Sequence, residues 1–123
     1  MAAVKRSVRI GERLREQLAD LLGRQVHDPR VLGVVLSRVS MTDDLQLARV
    51  YVRLSAGGDD EAKRRALLAG LDSASGLLRR ELGRSLNLRY APRLAFHYDE
   101  AQEKRSRIDA LLAEIEQGEK AKE

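Results

Sequence analysis

Two histidines, His27 and His97, are the side chains of this 123-residue chain best suited to proton transfer or metal binding, and acids follow each: Asp28, and Tyr98-Asp99-Glu100. Neither has the HExxH spacing that puts two ligands on one helix face, and neither stands in the context of a serine or cysteine nucleophile. Asp43-Asp44 is a carboxylate pair, but beside Thr42 it reads as turn chemistry. No GxxxxGK[S/T] phosphate loop and no GxGxxG occurs, and Gly57-Gly58 reads as a loop. Zero cysteines exclude disulfides, thiol catalysis and cysteine-ligated zinc, and they fit a reducing compartment. The expectation is a protein with no catalytic residues, no metal and no cofactor.

Anion binding is the chemistry for which residues are present. Leu67, Leu71, Ala74, Leu78 and Leu82 recur three or four apart as one apolar helical stripe, yet Ala74-Ser75-Gly76 interrupts it with poor helix formers. A glycine inside a helix costs roughly 1 kcal/mol against alanine. The spacing predicts a bend, with backbone N–H groups exposed where the second half begins. Arg79, Arg80 and Arg84 follow closely and Arg89 lies just beyond, so donors, helix dipole and guanidinium groups would together hold a phosphate. Alternatively, Gly76 only lets two helices pack closely. Lys5, Arg6, Arg9 and Arg13 form a second basic patch, whereas Lys63, Arg64 and Arg65 read as a solvated face and Arg49 and Arg53 could serve strand solubility.

The charge balance agrees with a polyanionic partner. Net charge is +4, but residues 99–123 carry 8 acids and 5 bases, so the preceding 98 residues hold 18 bases against 11 acids. A basic domain with an acidic tail points to nucleic acid. With one Phe, three Tyr and no Trp, base stacking has few candidate rings, so contacts to backbone and shape are expected rather than sequence reading. No apolar run approaches the roughly 20 residues of a membrane span. The first residues lack the apolar core of a secretory signal, which predicts a cytoplasmic protein with no membrane partner.

The elements that must position these residues follow from periodicity. Ile10, Leu14, Leu18, Leu21 and Leu22 predict an amphipathic helix over 7–23, with Ser7 as N-cap, Gly23 as terminator and Asp28-Pro29 closing off continuation. Residues 31–41 predict a strand with Val35, Val39 and Met41 on one face and Arg38 and Ser40 on the other. After the turn residues Thr42-Asp43-Asp44, Ala48, Val50, Val52 and Leu54 alternate with Arg49, Tyr51 and Arg53 in a second, antiparallel strand. An acidic cap then opens the bent helix pair, 61–73 and 77–86, with Asn87 as a left-handed stop. Residues 93–98 predict a third strand that joins the hairpin, and Ile108, Leu111, Leu112 and Ile115 a short helix before a disordered end at 117–123. The fold class is α+β, a three-stranded sheet under helices, in one domain over 1–100 with the C-terminal helix and tail over 101–123.

These residues resemble the ribosome-binding factor A family over about 6–115. The resemblance rests on Asp28-Pro29-Arg30, Asp44-Leu45, Ala48-Arg49-Val50-Tyr51-Val52, Ala74-Ser75-Gly76, Pro92 through Asp99, and Arg107 through Leu112. The family is similar in fold to the type II KH domain, in the order α-β-β-α-(Ala-x-Gly bend)-α-β. An ordinary KH domain clamps nucleic acid with a GxxG loop. No GxxG occurs here, and Ala74-Ser75-Gly76 stands where the family has its bend. The resemblance implies a non-enzymatic role: binding ribosomal RNA on the free, immature small (30S) subunit, with help in late maturation and 5′-end processing of 16S RNA and in cold adaptation. Together with the basic residues read above, the expected RNA site is Ala74, Ser75, Gly76, Arg79, Arg80, Arg84 and Arg89, flanked by Lys5, Arg6, Arg9 and Arg13, on a monomer that could meet other assembly factors. Two other readings compete with it: a protein-interaction adaptor using the C-terminal helix, and a small RNA-trimming enzyme using His27, His97 or Asp28.

Overall fold

The computed structural model describes residues 4–122, and the side chains of 4–119. Helix α1 (Arg6–Arg24) buries Ile10, Leu14, Leu18, Leu21 and Leu22 as their spacing requires. Its cap differs from expectation. Lys5 holds the N-cap position, while Ser7 is buried inside the first turn and donates its hydroxyl to Asp43 Oδ1 at 3.1 Å. The helix passes through Gly23 and ends at Arg24. Asp28 then accepts the Arg30 N–H and starts a short 3-10 turn, Pro29–Val31.

Strands β1 (Val34–Met41) and β2 (Leu47–Leu54) form the expected antiparallel hairpin, and β3 (Arg93–Tyr98) pairs in parallel with β2, which is central. Ala48, Val50, Val52 and Leu54 face the helices and are buried, whereas Arg49 is exposed on the opposite face. One strand parity is corrected by a bulge. Val35 pairs with Arg53 and Leu36 with Val52, then Ser37 is inserted before Arg38 pairs with Tyr51. The extra residue reverses the alternation, so Leu36 rather than Val35 joins Val39 and Met41 against the core.

Helix α2 (Glu61–Ser85) is the largest departure from the sequence reading. It is one uninterrupted helix of 25 residues, capped by Asp60, which accepts from the Ala62 and Lys63 N–H groups. There is no second start after Gly76, so the N–H groups that follow belong to a helix interior. The reason is phase: Leu67, Leu71, Leu78 and Leu82 remain on one buried face across the interruption. Burying each leucine is worth about 1.5–3 kcal/mol, which outweighs the roughly 1 kcal/mol cost of one glycine. Nor does Gly76 serve close packing, for nothing lies within 4 Å of where a Cβ would stand. Gly70 does that instead, since its Cβ would lie 2.9 Å from Val31 Cγ2 and 3.1 Å from Arg30 Cβ. Asn87, at φ 52°, is the expected left-handed stop.

The last helix, α3 (Glu100–Lys122), is longer than its apolar stripe predicts. Asp99 opens it by accepting the Gln102 N–H at 3.1 Å, and Glu100 and Glu103 in the first turn suit the helix dipole. Good helix formers on both sides of the stripe extend it past Gly118, through most of the segment expected to be disordered. Glu123 lies outside the described residues. The observed fold is thus three helices and a mixed three-stranded sheet, with α1 and α2 on one face.

Candidate nucleic-acid interface

Strand order brings the start of α1, the β1–β2 turn, the end of α2 and the start of β3 to one end of the molecule. Arg6, Arg79, Arg89 and Arg93 line a single groove there, together with Asp44 and Tyr90. The two basic patches that are far apart in sequence therefore meet, at Arg6 on one side and Arg79 and Arg89 on the other. Arg93 is a cation that the sequence reading did not single out. Its signal was its place at the start of the third strand, hydrogen-bonded through its N–H to Gln46 O at 2.8 Å.

These arginines are not equivalent. Arg79 donates from Nε to Pro92 O at 3.1 Å and from Nη2 to Ala91 O at 3.3 Å, so it fastens the loop between α2 and β3. That loop carries Arg89, whose guanidinium lies 5.4 Å from the ring centre of the exposed Tyr90. Arg80 is exposed on α2 one turn beyond Gly76, with no ion pair among the described residues, and Arg84 reaches Glu81 only at 4.0 Å. Ala74 and Ser75 are half-buried and Gly76 is exposed.

On α1, Arg9 and Arg13 are exposed and unpaired among the described residues, while Lys5 lies 3.6 Å from Asp43. The acid within the groove is engaged locally. Asp44 accepts from the Thr42 hydroxyl at 2.7 Å and from the Gln46 N–H at 3.1 Å, and these bonds hold its carboxyl below the ordinary range. Its charge is shared with the turn it stabilises.

The histidines are not assembled into a catalytic group. His97 is exposed on β3 and its ring lies 5.5 Å from that of Tyr51. Asp28, the carboxylate beside His27, is clasped by Arg30 at 2.6 Å, which keeps it ionised to lower pH and makes it a poor proton acceptor. Among the described residues no group of three or more His, Cys, Asp or Glu is placed to hold a metal ion, and no helix is long and apolar enough to cross a membrane.

At the opposite end Arg64 is engaged internally, while its neighbours Lys63 and Arg65 are exposed with no ion pair among the described residues. Arg64 donates to Gly58 O and to Glu100 Oε1, the latter at 3.1 Å, with its guanidinium 4.4 Å from the centre of the Tyr98 ring. Tyr98 donates its hydroxyl to Glu103 Oε2 and accepts the Leu54 N–H, each at 3.1 Å, and burial pushes its pKa up. The sequence hid this cluster because its members come from three separate segments.

The family model for ribosome-binding factor A matches residues 6–112. Ribosome-binding factor A of Sorangium cellulosum (strain So ce56) is 54% identical over 115 residues, covering 94% of this chain and 92% of that one. The crystal structure of ribosome-binding factor A from Thermus thermophilus superposes with a TM-score of 0.65 at 25% identity, over 75% of this chain and 93% of that one. A homology model of the Thermus thermophilus factor, fitted into a cryo-EM map of its complex with the 30S subunit, gives a TM-score of 0.60 at 26% identity, over the same shares of the two chains.

Proposed function

Because the chain belongs to the ribosome-binding factor A family, we propose that it binds the free small (30S) ribosomal subunit and assists its maturation, contacting ribosomal RNA with the arginines of the α2 end. The observation that carries the proposal is the contrast in pairing. Arg80, Arg89 and Arg93 are exposed and have no carboxylate within ion-pair distance among the described residues, whereas Arg64 and Arg107 at the other end reach Glu100 and Glu103. Phosphate contacts need such free cations, and they position a protein on RNA without reading sequence.

This reading assigns the following roles. Arg6, Arg80, Arg84, Arg89 and Arg93 contact phosphates, Lys5, Arg9 and Arg13 extend the surface along α1, and Arg79 positions the loop that bears Arg89. The small residues Ala74, Ser75 and Gly76 let an RNA backbone approach α2 beside Arg80, where a larger side chain would hold it off. No bond needs to be made or broken by the protein. A factor that binds one conformation of the maturing RNA more tightly than another shifts the population toward it, and this suffices for late 5′-end maturation and for a role in the cold.

Co-sedimentation with mature and immature free small subunits across a salt series tests the reading. The expected result is preferential binding to immature particles that weakens steeply with salt; failure to bind either particle would refute it. One observation favours an additional partner: Ile108, Leu111, Leu112 and Ile115 of α3 are each more than half exposed. Removing residues 108–123 should leave subunit binding intact if RNA contacts dominate, and should abolish it if the protein is an adaptor.

A further inference from the structure

The helices cover one face of the sheet, and the other face carries Arg38, Arg49, Tyr51, Arg53, Arg93 and His97 among the smaller or aliphatic Val35, Ser40, Leu47 and Ala95. Arg38, Tyr51 and His97 stand in register across β1, β2 and β3, forming one row over all three strands. The Arg38 guanidinium lies 3.8 Å from the centre of the Tyr51 ring, and the His97 ring follows at 5.5 Å with a tilt of 31°. Arg49 and Arg53 flank the row on β2, and Arg93 on β3 shares the face. Among the described residues, the carboxylate paired with the row is Asp99. Its side chain is 8% exposed, stands 3.8 Å from Arg38 Nε and accepts the Gln102 N–H, so it orients Arg38 over Tyr51.

We propose that this open face is a second RNA-binding surface, one that stacks unpaired bases on the Arg38–Tyr51–His97 row while the neighbouring arginines hold the phosphates. The proposal rests on the RNA-binding reading above and adds a surface and a ligand class, single-stranded RNA. Strand solubility does not account for the arrangement. Protective charges belong on edge strands, yet Arg49, Tyr51 and Arg53 lie on the central strand, which has no free edge. Aromatic rings and guanidinium planes are the groups on which splayed bases stack, and strands about 4.8 Å apart present them side by side. The few aromatic residues in the composition are offset by their placement: a tyrosine and a histidine 46 residues apart in sequence become neighbours.

The test uses the full chain and a roughly 12-nucleotide unstructured RNA carrying one 2-aminopurine, beside a strand of equal length with abasic central positions. Wild type and Tyr51→Phe should quench the 2-aminopurine and bind the intact strand about tenfold more tightly than the abasic one, as one stacked base is worth. Tyr51→Thr/His97→Thr should lose both the quench and the preference. Absence of quenching by wild type, or equal binding of the two strands, would overturn the proposal, and this holds even if the double variant fails to fold. Small-subunit co-sedimentation of wild type in parallel separates the two readings: retained subunit binding without base-dependent quenching sinks this surface alone, and loss of both sinks the RNA-binding reading as well.

Discussion

The two halves of α2 have similar composition and opposite surroundings. In the first, Asp60 caps the helix, Arg64 is enclosed by Gly58, Tyr98 and Glu100, and Gly70 lies against the Arg30-Val31 turn. In the second, Gly76 meets nothing within 4 Å and Arg80 projects into open space. The buried stripe is continuous through both, so the core does not distinguish them. What differs is the use of single outward groups: Arg64 is enclosed while Lys63 and Arg65 beside it are exposed, and Arg79 holds the next loop while Arg80 is open, so an arginine's use is set by the segments the fold brings to it rather than by its local sequence.

On the stability side, Gly70 and Gly76 of α2 should respond to a side chain in opposite ways. Gly70→Val should destabilise the fold by about 1–3 kcal/mol, because overpacking against Val31 forces the 3-10 turn away, and chemical denaturation would measure it. Tyr98→Phe removes the hydroxyl that joins β2 to α3 and should cost about 1–2 kcal/mol, with subunit binding unchanged. Gly76→Ala should do the reverse of Gly70→Val and stabilise by about 0.5–1 kcal/mol, since an exposed helix interior favours alanine. If small residues are needed for RNA approach, Gly76→Val should weaken subunit binding while leaving the fold intact, and loss of both together would remove Gly76 from the site.

The smallest expected effect concerns acid. The Arg30 side chain, aided by its backbone N–H, holds Asp28 below the ordinary carboxylate range. A carboxylate with a lowered folded pKa contributes stability that is complete above its unfolded value, about 3.9, and is lost as pH falls through the folded one. Asp28→Asn should therefore lower stability slightly at neutral pH and flatten the acid limb below about pH 4 in a thermal-denaturation series.

Much of this fold was legible because its signals are local and periodic. The alternation of Ala48 through Leu54 and the stripe of α1 each describe one element's own burial, and Asn87 announces a left-handed residue. What was not legible depends on partners distant in sequence. The Ser37 bulge needs the register against Val52 and Tyr51, Gly70 needs the turn at Arg30-Val31, and the convergence of Arg6 with Arg89 needs the sheet. The bend at Gly76 failed for a related reason: local propensity spoke for a break, and the buried leucines on either side overrode it. At the candidate site the cations themselves could be named from sequence, but not that Arg79 faces backbone carbonyls or that Arg93 joins the groove.

We propose that the second half of α2, and not the first, meets RNA. The most direct test is co-sedimentation with free small subunits of two matched charge reversals on the same helix, Arg80→Glu/Arg84→Glu and Lys63→Glu/Arg65→Glu, all four positions being exposed. The first pair should lose binding by about tenfold or more at moderate salt and flatten its salt dependence, while the second pair binds close to wild type. Equal losses from the two pairs would mean that net charge alone drives binding, and would contradict the claim.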